Sequence, residues 1–181
     1  YPIVNESITL HAEMEDGTIV SGESNIPIKG NKIKRVFLTP DKITPNKQAI
    51  DAILEADLVV ISPGSLYTSI LPNLIMPDVV DAVKRTKASV VYVCNLMTQH
   101  GETDHYKASD HVKAIYRHIG ENTIQKVIVN EKSIKSKYLQ TYEREKSHPV
   151  QIDKDSLKDM GITVIEADVV DYSNKMIRHN N

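Results

Sequence analysis

Four short apolar stretches constrain this chain more than any other feature: Leu58 to Ile61 (LVVI), Ser89 to Asn95 (SVVYVCN), Lys126 to Asn130 (KVIVN) and Ile162 to Ala167. Each is rich in β-branched residues and too short for a buried helix, so each reads as a strand. Helical patterns separate them. One runs from Pro77 through Val79, Val80 and Val83, one from about Ser109 to Ile119 with Gly120 as its stop, and one with heavy charge from about Lys135 to Lys146. A short helix over Ser156 to Met160, ended by Gly161, completes the set. Strands alternating with helices predict an α/β fold whose mostly parallel sheet is covered on both faces.

Residues 1–40 read differently. Ser7 to Met14 alternates with Ile8, Leu10, Ala12 and Met14 on one face, Glu15-Asp16-Gly17 is a turn, and Thr18-Ile19-Val20 returns. Ile33 to Leu38 is a further strand, so the N-terminal segment is β-rich. Thr44-Pro45 predicts the start of a helix running to about Ala56, with Ala49, Ile50, Ile53 and Leu54 facing inward. Pro72 and Pro77 are expected to break the helix that follows the LVVI strand, and Pro149 to Asp153 is read as a short strand.

The LVVI strand ends in Ser62-Pro63-Gly64-Ser65, where proline fixes φ and glycine frees the backbone before a helix begins. A strand feeding a glycine turn and a helix N-terminus gathers free N–H groups and a positive dipole end, an arrangement that suits phosphate. Ser65, Tyr67, Thr68 and Ser69 add hydroxyls, although a capped turn with no ligand has the same local pattern. Ligands of open parallel sheets lie beyond the carboxyl ends of the strands. That rule sets Ser62 to Ser69 beside the polar loop Leu96 to Thr103. Asn95, Thr98, Gln99, His100 and Glu102 there can hydrogen-bond a sugar or base.

Other chemistries find less support. Ser65 lies in P-G-S-L-Y, without the flanking glycines of a hydrolase elbow. The seven histidines show no metal-binding spacing, and Asp104-His105, Asp110-His111 and His118 read as helix and loop residues; Mg²⁺ bridging the phosphates of a ligand stays open. A net charge of −2 offers no basic excess for nucleic acid. Cys94 is the only cysteine and cannot form an intramolecular disulfide, so a reducing cytoplasm is the expected setting. No apolar stretch approaches the length of a membrane span. With 181 residues, 40% of them hydrophobic, the chain reads as a single domain.

The segments SPGSLYTSILPNL, VYVCNLMTQHGETDHYKASDHVKAI, DGTIVSGES and AIDAILEADLVV carry a resemblance. Together they are similar to the gluconeogenesis-factor (YvcK-type) family, which is related to the phospholactate transferase CofD of deazaflavin-coenzyme synthesis. The match is collinear from about Leu10 to Asn130 and looser to Arg178. The resemblance implies a three-layer, Rossmann-like CofD fold, oligomers such as dimers, and binding of nucleotide sugars such as UDP-N-acetylglucosamine. In bacteria it implies support of gluconeogenic growth and cell shape. It sets the SPGSLYTS loop, with Ser62, Gly64, Ser65, Tyr67 and Thr68, at the ligand cleft, and matches Tyr142 and Arg178 to family residues that contact the nucleotide sugar.

The family's opening G-G-G-T-G turn and A-D-D-G-G-S segment do not occur in the 181 residues, which therefore read as the C-terminal part of a member. His100 stands where the family usually has proline. Two function classes follow. One is a nucleotide-sugar-binding regulator without turnover. The other is a transferase like the phospholactate enzyme, for which Glu102 and Asp104 are the candidate base or Mg²⁺ ligands. A scaffolding role accounts less well for the polar strand-end loops.

Overall fold

A computed structural model describes residues 1–30 and 32–172, and the backbone of 178–179. Its first sheet is antiparallel, built from β1 (Thr9–Met14), β2 (Ile19–Ser21) and β3 (Ile33–Thr39) in the order β2-β1-β3. Gly17 turns the β1–β2 hairpin at φ 81°, a backbone region that favours glycine. Leu10, Ala12 and Met14 point inward from β1, as the alternation predicts, and Val36 and Leu38 join them from β3. The short α1 (Ile26–Lys29) lies between β2 and β3 and buries Ile26.

The second sheet is wholly parallel. It consists of β4 (Leu58–Ile61), β5 (Ser89–Val93), β6 (Lys126–Asn130) and β7 (Thr163–Ala167), in sequence order. Three crossover helices, α4 (Pro77–Arg85), α5 (Ala108–Ile119) and α7 (Lys154–Asp159), follow α2 (Lys47–Glu55), the short α3 (Leu71–Leu74) and, before α7, α6 (Ser136–Arg144). Val79, Val83, Ile115, Ile119 and Leu157 of the crossovers pack with Ile61, Val90, Tyr92, Val127 and Val129 of the sheet in one core. The antiparallel sheet closes the other side of α3 and α5 through the same core. The three layers are thus sheet, helices and sheet, and the α/β class with a β-rich N-terminal segment is realised. A two-stranded ribbon of β8 (Val170–Asp171) and β9 (Arg178–His179) stands apart.

Several local expectations are corrected. The helix α2 begins at Lys47, because Asn46 rather than Thr44 caps it: the Asn46 carboxamide oxygen accepts from Gln48 N–H at 3.0 Å. Pro72 does not break its helix, since it occupies the first turn of α3, where a missing N–H costs little. Pro77 does open α4. Residues 149–153 form only two isolated bridges, Met97 with Pro149 and Lys107 with Gln151; Pro149 has no N–H with which to extend a ladder.

The strand β4 is also less buried than its sequence suggests. The crossovers run the same way along the sheet and so cover one face, as right-handed connections dictate. The other face leaves Leu58 54% and Val60 49% exposed.

One hydrogen bond joins the layers at a strand edge. β3 is the outer strand of its sheet, and the outward N–H of Val36 donates to His118 Nε2 of α5 at 3.0 Å. The other ring nitrogen donates to the Ala114 carbonyl at 2.7 Å, so the ring is neutral. Burial lowers the His118 pKa from its ordinary 6.5, against the favourable Ala114 bond, and nearby Arg117 and Arg35 lower it further. A histidine with a depressed folded pKa takes up its proton more readily in the unfolded chain. Stability is therefore lost as pH falls below about 6.5, by up to about 1.4 kcal/mol per pH unit for this ring. His118→Gln retains an acceptor for Val36 without the titration. Urea unfolding from about pH 7 to about pH 5 is expected to show a shallower loss of stability in this variant than in the wild type.

Candidate functional site

Parallel pairing of β4 with β5 brings the two polar loops together, as their positions in the sequence predict. The Asn95 side chain straps them: Nδ2 donates to the Gly64 carbonyl at 2.7 Å, and Oδ1 faces Gly64 N–H at 3.5 Å. After Ser65 the chain makes a wide π-helical turn, Leu66–Ile70, that runs on into α3. The Ser65 carbonyl receives both Ser69 N–H (2.8 Å) and Ile70 N–H (2.9 Å). Such turns occur often at functional sites.

An anion does sit at the start of this turn, and it belongs to the protein. Glu102 is 5% exposed, and its Oε2 accepts from Tyr67 N–H at 3.2 Å. Its Oε1 accepts from Thr68 Oγ1 at 2.8 Å and from Gln99 Nε2 at 2.9 Å. Burial raises the Glu102 pKa above the usual carboxylate value, and the bonds from Thr68 and Tyr67 oppose that rise. Sequence reasoning expects a phosphate near Tyr67 and Thr68. In the folded chain a carboxylate from the next loop meets the same N-terminal charge.

The remaining candidates divide by place. Tyr67 lies in the core, fully buried, with its hydroxyl 2.7 Å from that of Tyr106; burial raises its pKa. Thr68 and Gln99 hold Glu102. Thr98 is buried and bonds His148 twice, donating through its N–H to the carbonyl (2.7 Å) and accepting at Oγ1 from the N–H (2.9 Å). Asp104 bonds His100 Nδ1 at 2.9 Å and accepts from Gly101 N–H at 2.8 Å. Burial raises its pKa, but these two bonds outweigh that and hold it below the usual range. Ser62 is exposed, and Gly64 and Ser65 are half-buried around the Asn95 strap.

Tyr142 and Arg178 come from elements that close over the same end of the sheet. Tyr142 of α6 is half-buried against a small cluster of Leu96, from the loop after β5, and Val170 of β8. The partner strand of β8 carries Arg178 opposite Asp171; the Arg178 side chain lies outside the described residues. Leu96 also lines a cavity of about 190 Å³ at the ends of β5 and β6, with Asn95, Asn130 and Lys132. Asn130 marks a strand end in the sequence, but Lys132 carries no such signal. Its ion pair with Asp168, at 2.6 Å, is set by the pairing of β6 with β7.

Together these features define an α/β protein whose candidate site lies beyond the carboxyl ends of a parallel sheet, around a glycine turn held by its neighbours. The chain belongs to the family described as 2-phospho-L-lactate transferase CofD, whose model matches residues 1–170. It is 52% identical to the gluconeogenesis factor of Bacillus subtilis over 99% of this chain and 56% of that protein. It is 49% identical to the gluconeogenesis factor of Halalkalibacterium halodurans, again over 99% of this chain and 56% of the relative. A crystal structure of a Bacillus halodurans protein superposes with a TM-score of 0.96 at 49% identity, covering 99% of this chain and 58% of that one. A second, described as a UPF0052 family member, gives a TM-score of 0.95 at 48% identity, over 98% and 57%. The chain thus spans a little over half the length of these relatives, and the resemblance seen in its motifs holds along the whole of it.

Removing the Glu102 carboxylate leaves the buried Tyr67 N–H without a partner and takes the acceptor from the half-buried Thr68 hydroxyl. Glu102→Ala is expected to lower unfolding free energy by about 2–3 kcal/mol in urea denaturation, and Glu102→Gln by less.

Proposed function

We propose that this chain forms the ligand-binding α/β portion of a gluconeogenesis factor, taking a nucleotide sugar of the UDP-N-acetylglucosamine kind at the strand-end cleft and acting as a regulator without turnover. The names of its relatives support the gluconeogenic role. The observation that carries binding over catalysis is the state of the two acids that could serve as bases. Glu102 accepts from Tyr67, Thr68 and Gln99, and Asp104 from His100 and Gly101, so both are spent in holding loops. Tyr142 offers a ring for the base or sugar at the Leu96 cluster, Asn95 and Asn130 offer amides, and Arg178 offers a fork for phosphate. Among the described residues no three His, Cys, Asp or Glu side chains converge, so Mg²⁺ would be carried by the ligand's own phosphates.

The family description favours a second reading, a phospho-group or nucleotidyl transferase. Isothermal titration of UDP-N-acetylglucosamine into the purified protein, with and without Mg²⁺, separates the two when the recovered ligand is then weighed by mass spectrometry. Saturable binding is expected, weakened at least about tenfold by Tyr142→Ala and by Arg178→Ala, with the ligand intact. A consumed ligand would establish the transferase. No binding by the folded protein would end the nucleotide-sugar reading.

A further inference from the structure

The loop that supplies Glu102 has a second side. Glu102 and Gln99 bond toward the π-helical turn, and the same loop, through His100, Glu102, Asp104 and His105, lines a groove of about 470 Å³. That volume is within the range of small-molecule sites. Three separate segments build the groove: Lys32 at the entry to β3, the loop residues His100 to Tyr106, and Lys146 with His148 after α6. The loop is pinned to α1 at Gly101, where φ is 83° and an added Cβ would lie 2.0 Å from the Pro27 carbonyl oxygen. Its shape is therefore imposed by packing.

Basic side chains outnumber acidic ones in the groove: Lys32, Lys146, His100, His105 and His148 against Glu102 and Asp104. Of its two carboxylates, Glu102 is committed to Tyr67 and Thr68, and Asp104 is shared between His100 and Gly101 N–H. Among the described residues Lys32 and Lys146 form no ion pair. His105 and His148 add two further ring donors. Backbone geometry singles out the same place. Of three non-glycine residues with positive φ among those described, His105 (62°) and Lys146 (55°) both line this groove. At Lys146 the left-handed residue closes the end of α6, its N–H donating to the Glu143 carbonyl, and so sets Lys146 at the groove.

We propose that this groove is a second binding site, for a small phosphorylated anion held between Lys32 and Lys146 with His105 and His148 as further donors. A phosphate monoester or diphosphate suits the spread of donors, because its several oxygens can meet groups arriving from three directions. The groove shares no lining residue with the strand-end cavity at Asn95 and Asn130, and what that cavity binds does not enter the proposal.

The test is an imidazole-detected NMR titration of the protein with inorganic pyrophosphate, the His105 and His148 signals being assigned from His105→Gln and His148→Gln. Both signals are expected to shift saturably, and Lys32→Ala combined with Lys146→Ala should weaken the apparent affinity at least about tenfold. Lys87→Ala, at an exposed site remote from the groove, and Tyr142→Ala should leave it unchanged. Any of three results would overturn the proposal: no saturable shift at either ring, shifts that survive the double substitution undiminished, or equal weakening by Lys87→Ala. Loss of the shifts in Tyr142→Ala would move the anion to the strand-end cleft and overturn it as well.

Discussion

A buried carboxylate placed on a helical N-terminus organises this protein. Glu102 reaches from the loop after β5 to the turn after β4, where it gives the Tyr67 N–H the partner that it lacks within the helix and also accepts from the Thr68 hydroxyl and the Gln99 amide. Taking a carboxylate out of water is costly unless donors and a dipole meet it, and both do here. The loop Gln99–Tyr106 is held in one shape by this contact and by the Gly101–Pro27 approach. Asn95, Thr98 and Asp104 fasten its ends to the β4 turn, to His148 and to itself.

That arrangement changes what the glycine turn can be asked to do. A strand, a glycine turn and a helix N-terminus form a ready anion site in many α/β proteins, because the N–H groups point outward unpaired. Here the Tyr67 N–H and the Thr68 hydroxyl are answered internally by Glu102. Beside the turn, Asn95 and Asn130 line the cavity at the strand ends, and Tyr142 packs against the cluster of Leu96 and Val170. The layer behind is kept in place by His118, whose neutral ring satisfies the edge of the antiparallel sheet.

Much of the architecture was legible. Four short β-branched stretches gave four parallel strands in sequence order, and the alternation of Leu10, Ala12 and Met14 gave the inner face of β1. Helix starts were harder, because Thr44 and Asn46 are both competent caps and only the packing of the preceding segment, including Asn46 N–H on the Ile3 carbonyl, selects between them. Burial was overestimated at β4, where an apolar stretch says that a strand wants cover without saying whether the helices reach both of its faces. At the site, the neighbourhood of the two loops followed from strand order, yet the roles of their residues did not. Tyr67 and Thr98 look like surface donors in a polar string and are buried structural partners of Tyr106 and His148.

The sequence alone determined the class of fold, the position of the glycine turn at a strand end and the family to which the chain belongs, because each depends on local pattern or on collinear motifs. Only the tertiary structure decided which polar groups are spent. That Glu102 caps the turn at Tyr67, that Tyr67 lies in the core and that Lys32 and Lys146 line one groove all depend on how residues far apart in the chain come together. A carboxylate in a sequence carries no record of the donors that will surround it, and those donors determine both its pKa and its work.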